Sequence, residues 1–160
     1  MTIQINHKNN ISKETTSNLV LFTDEKFSIS NITSKISKQE FLYLKDLLKT
    51  CDLKKNSLVF DISSKKKIIL ISVKNNLEAS DIENLGAEFY GGINHEKKSQ
   101  YTLNSDTLNS KFENFIGYFL HGLKLKSYEF NIYKSKNYDH LLILYLGYLQ
   151  LELPIQQKLH

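Results

Sequence analysis

No arginine occurs among the 160 residues; all 21 strongly basic side chains are lysine. Nucleic-acid readers depend on the flat, bidentate guanidinium for phosphate and base contacts, so a specific nucleic-acid interface is not expected. The lysines, against a net charge of only +4, read as a solvated surface. The wealth of Lys, Asn and Ile beside the lack of Arg fits AT-rich codon usage. The single cysteine, Cys51, excludes an internal disulfide framework and a multi-cysteine metal site. The longest apolar run, Leu141 to Leu149, is far short of the roughly 20 residues that span a bilayer. The N-terminus lacks the charged-then-apolar pattern of a secretory signal. No membrane partner and a soluble, cytoplasmic protein are therefore expected. Tryptophan is missing too, yet nine Phe and nine Tyr supply enough apolar surface for an ordered core.

What is present falls into a regular order. Ile3 to Asn6 is a short strand candidate, residues 7 to 17 a polar loop, and Asn18 to Thr23 (NLVLFT) a buried strand closed by Asp24-Glu25. Ser37 and Glu40 form an S-x-x-E capping box. The helix after it carries Phe41, Leu44, Leu47, Leu48 and Cys51 on one face. Ser57 to Ile62 and Lys67 to Val73 read as two strands, and the four residues between them favour an antiparallel hairpin. A second box, Ser80 with Glu83, opens a helix that turns Ile82, Leu85, Phe89 and Ile93 inward and weakens at Gly91-Gly92. Gln100 to Leu103 is a weaker strand.

A third box, Ser110 with Glu113, precedes the strongest helical pattern. Phe112, Phe115, Ile116, Phe119, Leu120 and Leu123 share one face of a 3.6-residue period. Gly117 and Gly122 each cost such a helix about 1 kcal/mol relative to Ala, so the spacing predicts close backbone approach, here against a sheet. Ser127-Tyr128 reads as a turn into an aromatic strand, Tyr128 to Tyr133, and Leu141 to Tyr148 as the last strand. Pro154, the only proline, falls in the tail. Strands alternating with amphipathic helices mean a layered α/β domain, and the hairpin makes its sheet mixed rather than wholly parallel.

No chemical constellation emerges. There is no G-x-S-x-G, G-x-x-x-x-G-K-[ST], H-E-x-x-H or C-x-x-C. No basic partner that would form a thiolate is identifiable for Cys51, and it reads as core. His121, at the edge of the apolar stripe, has no carboxylate that the sequence can name. Asp139-His140 is too few residues for a metal site. Asp61 reads as a strand-end, turn-stabilising carboxylate. Gly86, Gly91 and Gly92 lack the spacing of a phosphate loop. No catalytic, cofactor-binding or metal-binding residue is assigned.

Phe119, Gly122, Leu125, Ser127, Tyr128, Phe130, Tyr133, Lys134 and Lys136, within HGLKLKSYEFNIYKSK, resemble the end of the N-terminal domain of the leucyl (cytosol) aminopeptidases, the M17 metallopeptidase family. That family carries a run like G-A-x-L-A-S-Y-x-F followed by x-Y-K-(S/T)-K. NLVLFTDE, the strand pair SLVFDI and KIILISV, and the helix containing Leu85-Gly86-Ala87 are similar more softly. Ile71-Ser72-Val73-Lys74-Asn75 stands where the family has a V-G-L-G-like run.

The resemblance implies a macro-domain-like fold: three-layer α/β/α with a mixed, mostly parallel sheet. It places the N-terminal-like domain at residues 1–150 and a linker or tail at 151–160. It also implies that the two divalent metals of the family, Mn or Zn, belong to a separate catalytic domain. The N-T-D-(A/G)-E-G-R-L signature of that domain is not found here. The expected role is structural or modulating, in a truncated product, an excised domain or a gene fragment. The partners so implied are the catalytic domain and the homohexamer of the parent enzyme. Two alternatives follow from the same likeness: an ADP-ribose or nucleotide-binding module, as in true macro domains, and weak nucleic-acid binding through Lys65 to Lys67 and Lys124 to Lys136, since some members of the family bind DNA.

Overall fold

In the computed structural model, residues 2–7, 18–93, 98–109, 112–133 and 141–146 are described. Six strands form one sheet: β1 (Thr2–His7), β2 (Asn18–Thr23), β3 (Ser57–Asp61), β4 (Lys67–Ser72), β5 (Lys98–Asn104) and β6 (Leu141–Leu146). Their spatial order is β1-β6-β5-β2-β4-β3. Every neighbouring pair is parallel except β3–β4, which is the antiparallel hairpin read from its short connection. The helices are α1 (Lys38–Leu47), α2 (Ala79–Ile93) and α3 (Phe115–Tyr133), with 3-10 turns at Ser30–Ile32 and Ser105–Thr107.

Burial explains the strand order. From their second residue onward, β2 and β4 are buried without interruption, as strands covered on both faces must be. β3 alternates, with Leu58 and Phe60 inside and Val59 and Asp61 outside, as suits a strand paired on one side and half covered. The alternation in β2 divides the interior into two layers. Val20 and Phe22 join Ile69, Ile71, Tyr101 and Leu103 beneath α2 and α3. Leu19 and Leu21 join Leu58, Phe60, Ile68 and Leu70 beneath α1 and the segment that precedes it. Phe119 is wholly buried, which alone contributes on the order of 2 kcal/mol. Its ring meets Phe22 edge-on at 5.7 Å, a favoured aromatic geometry.

The start of α1 follows its capping box. Glu40 N–H donates to Ser37 Oγ at 3.1 Å, and Ser37 N–H donates to Glu40 Oε2 at 2.9 Å. Glu40 Oε1 also takes Lys66 Nζ at 2.7 Å, with both side chains mostly buried. This ties the helix to the β3–β4 turn. Phe41, Leu47, Leu48 and Cys51 pack against the α1-side core as expected, although Cys51 lies just past the helix end.

Four expectations need correction. Tyr128 to Tyr133 is the last part of α3, not a strand, and Ser127-Tyr128 is not a turn. Nothing between Leu123 and Tyr133 breaks a helix, since Gly and Pro are absent there. Ser127 Oγ donates to Lys124 O at 2.6 Å, so its hydroxyl is satisfied along the helix. Second, Gly122 does not abut a sheet. A Cβ there would collide with the backbone of Glu83 in α2, and one at Gly86 with the backbone of Phe119 in α3; the two glycines form a reciprocal helix–helix contact. Gly117 faces the side chain of Asn114. Third, α2 begins one residue before Ser80, with Glu78 N–H donating to Asp81 Oδ2 at 2.9 Å; the acceptor three residues on is Asp81, not Glu83. Fourth, α3 begins at Phe115, after Asn114 at φ 58°, so Glu113 precedes the helix. Ser110, residues 8–17 and Asp139-His140 lie outside the described residues, as do Tyr148 and the 151–160 tail. β5 is longer than Gln100 to Leu103.

Candidate functional site

In open parallel sheets, ligands enter at the carboxyl ends of the strands, where the strand order reverses. Here the chain leaves β2 toward β3 and β4 on one side, then crosses to β5 on the other. The crevice at the ends of β2 and β5 is therefore the place to look.

The polar side chains at these strand ends bond within the protein itself. The β2–β5 ladder runs out at Leu21 opposite Asn104, leaving the next N–H of β2, on Phe22, in need of an acceptor. Thr107 supplies one: its Oγ1 accepts from Phe22 N–H at 2.9 Å and donates to Asn104 O at 2.7 Å. Asn104 Oδ1 accepts Asp106 N–H at 3.1 Å. Asp106 Oδ2 pairs with Lys35 Nζ at 3.2 Å, joining the segment after β5 to the one after β2. Asn104, Ser105 and Thr107 are all buried. Asp24 closes the end of β2, its Oδ1 accepting from Lys26 N–H and Ser28 N–H, both at 3.0 Å. Partial burial pushes the Asp24 carboxyl up, but these backbone donors outweigh it and hold its pKa below the ordinary value. The same turn places Phe27 at φ 54° with its ring in the core. No glycine follows β2, β4 or β5 before the next helix, so none of these segments has the bare backbone that cradles a phosphate.

Beside this crevice lies an open cleft of about 210 Å³ between the end of β4 and α2. Lys74 and Leu77 line it from the connection, and Asp81, Asn84, Leu85 and Glu88 from the helix. Asn56, just before β3, donates through Nδ2 to both Glu88 oxygens, at 2.9 and 3.3 Å.

No protein-family model matches the chain, and no curated protein matches it. Among solved structures, a mutant of tomato leucine aminopeptidase superposes with a TM-score of 0.63 at 16% identity, over 98% of this chain and 34% of its own. The macrodomain of Thermus aquaticus DarG superposes with a TM-score of 0.55 at 8% identity, over 89% of this chain and 99% of its own. The fold is macrodomain-like. At these identities the likeness is one of fold, and the chain spans about a third of the aminopeptidase it matches.

Within this macrodomain-like frame the residues considered from sequence lie apart. Cys51 is half-buried, its Sγ donating to Leu47 O at 3.2 Å. Asp61 is exposed at the end of the β3 edge. Gly91 and Gly92 sit in the last turn of α2 with open space around them. His121 does have a carboxylate: Nδ1 lies 2.7 Å from Glu83 Oε1, across the α2–α3 contact. Among the described residues no group of three His, Cys, Asp or Glu side chains could hold a metal, and no helix is long and apolar enough to cross a membrane. Of the basic 65–67 turn, Lys66 is drawn into its pair with Glu40. Reading the sequence missed Thr107, Asn104 and Lys35. The polar run Asn104-Ser105-Asp106-Thr107 directly after a strand was the available signal.

Proposed function

We propose that this chain is a non-catalytic accessory domain of a leucyl aminopeptidase-type metallopeptidase, structural or modulating in role and cytoplasmic. The observation that carries this reading is that Thr107, Asn104, Asp106 and Lys35, at the ends of β2 and β5, are engaged in bonds within the protein. A macrodomain-like fold that served a nucleotide would leave such groups free for it. The superposition of nearly the whole chain on part of a leucine aminopeptidase supports the same reading. The two metals of such an enzyme would belong to its catalytic domain. Its partners would be a catalytic domain and the hexamer built from such domains, not nucleic acid.

The test mixes the chain with a leucine aminopeptidase catalytic domain stripped of its own N-terminal third. Co-elution and a change in the turnover of that domain are expected. The chain alone, with added manganese or zinc, should leave leucyl-anilide substrates intact. Failure to associate would sink the accessory role. Calorimetric binding of ADP-ribose tighter than about 100 µM, roughly −5.5 kcal/mol, would move the assignment to a ligand-binding macrodomain. Tight, sequence-dependent DNA retention at physiological salt would move it to nucleic acid.

A further inference from the structure

The cleft beside α2 carries charge that the fold does not use. Asp81, Asn84 and Glu88 fall at i, i+3 and i+7 and share one helix face, with Asp81 and Glu88 about 10 Å apart along the axis. Both carboxylates are oriented by neutral groups: Asp81 by the N–H of Glu78 and Glu88 by the amide of Asn56. Lys74 faces the same cleft. Yet among the described residues no ion pair joins Lys74 to Asp81 or to Glu88. Opposite charges thus line one cavity without neutralising each other. Buried Leu85 and half-buried Leu77 line the cleft alongside buried Ser72. The volume of about 210 Å³ is below the roughly 300–1,000 Å³ of sites for drug-sized ligands, which excludes a dinucleotide.

We propose that this cleft binds a small zwitterion of the α-amino acid class with an aliphatic side chain. Its carboxylate pairs with Lys74, its ammonium pairs with Glu88, and its side chain rests on Leu77 and Leu85. The binding does not depend on the accessory-domain reading and can hold or fail by itself.

The test is an amide-resolved NMR titration of the intact, isotope-labelled chain with L-valine, with glycine, acetate and ethylammonium as companion probes. Expected are saturable shifts at Lys74, Asp81, Asn84 and Glu88, with a Kd for valine of about 1 mM or tighter and weaker binding of glycine. Loss of one charged hydrogen bond should weaken valine binding about tenfold in Lys74→Met and in Glu88→Gln, while amides elsewhere keep their positions. No saturation by about 20 mM valine, saturable shifts located elsewhere, or variants that bind as well as the parent would overturn the assignment. So would acetate or ethylammonium matching valine, which would reveal a site for a single charge.

Discussion

Replacing Gly122 by alanine should destabilise the protein even though alanine is the better helix former. In an unobstructed helix interior the change would gain about 1 kcal/mol. At Gly122 the new Cβ would lie 2.6 Å from Glu83 Cα and nearer still to its carbonyl. Carbon atoms prefer about 3.5–4.0 Å, so α2 and α3 would have to move apart by roughly 1 Å. Neither obstacle is a side chain that can rotate away. Parting the helices loosens Leu85, Phe119 and Leu123, all buried along this contact. Overpacking against fixed atoms costs about 1–3 kcal/mol and occasionally more, and backbone on both sides puts this case at the upper end. The net loss should be about 2–3 kcal/mol, a fall of roughly 5–10 °C in Tm for a chain of this size. Gly91→Ala is the internal control: nothing lies within 4 Å of its would-be Cβ, and a gain of about 0.5–1 kcal/mol is expected. Urea unfolding followed by far-UV circular dichroism measures both. A Gly122→Ala variant as stable as the parent would show that the helices do not touch through their backbones.

Thr107→Val keeps the shape but leaves Phe22 N–H without an acceptor, and should cost about 1–3 kcal/mol in chemical denaturation. Asp106→Asn removes only the partly exposed pair with Lys35 and should cost under about 1 kcal/mol; equal losses would contradict the assigned roles. Ser37→Ala should cost about 1 kcal/mol by uncapping α1, measured the same way. Glu40 sets a pH dependence. Burial pushes its carboxyl up, but hydrogen bonds from Lys66 and the Ser37 backbone outweigh burial and bring its pKa below the ordinary 4.5. The stability it contributes is therefore complete above its unfolded pKa and is lost as pH falls through the lower folded value. Glu40→Gln should flatten that acid limb of the stability profile, and an unchanged limb would place the effect elsewhere.

The central sheet was legible because continuous runs such as NLVLFT and KIILIS allow little besides doubly covered strands, and a short connection left β3 and β4 little choice but a hairpin. The Ser37 box was legible because both of its hydrogen bonds are local. Local signals also misled. Alternating Tyr128, Phe130, Ile132 suggests a strand, but an unbroken helix already under way continued through them, leaving Tyr128 on the surface. At α2, the Ser80-x-x-Glu83 spacing reads as a capping box, but the bond that forms runs from Glu78 N–H to Asp81, two residues earlier. The glycines announced a close approach without saying to what. The crevice was illegible for a different reason: Thr107 meets Phe22 across 85 residues and Lys35 meets Asp106 across 71. The pairing of His121 with Glu83 spans 38. No periodicity encodes such partnerships; they exist only once the sheet has assembled.

The register of β1 against β6 has a consequence for synthesis. Thr2 pairs with Leu141 and His7 with Leu146, so the β1 segment waits for a partner that is synthesised about 140 residues later. At about 5–20 residues per second, the β1 segment spends on the order of ten seconds without its native neighbour. During that time β2 through β5 have everything they need to pair. The nascent chain thus carries an orphan strand on one end of a sheet whose middle is already buildable. Chaperone occupancy and misassembly should peak in that interval, and closure should come as a late docking of β1 onto β6 rather than as the seed of folding.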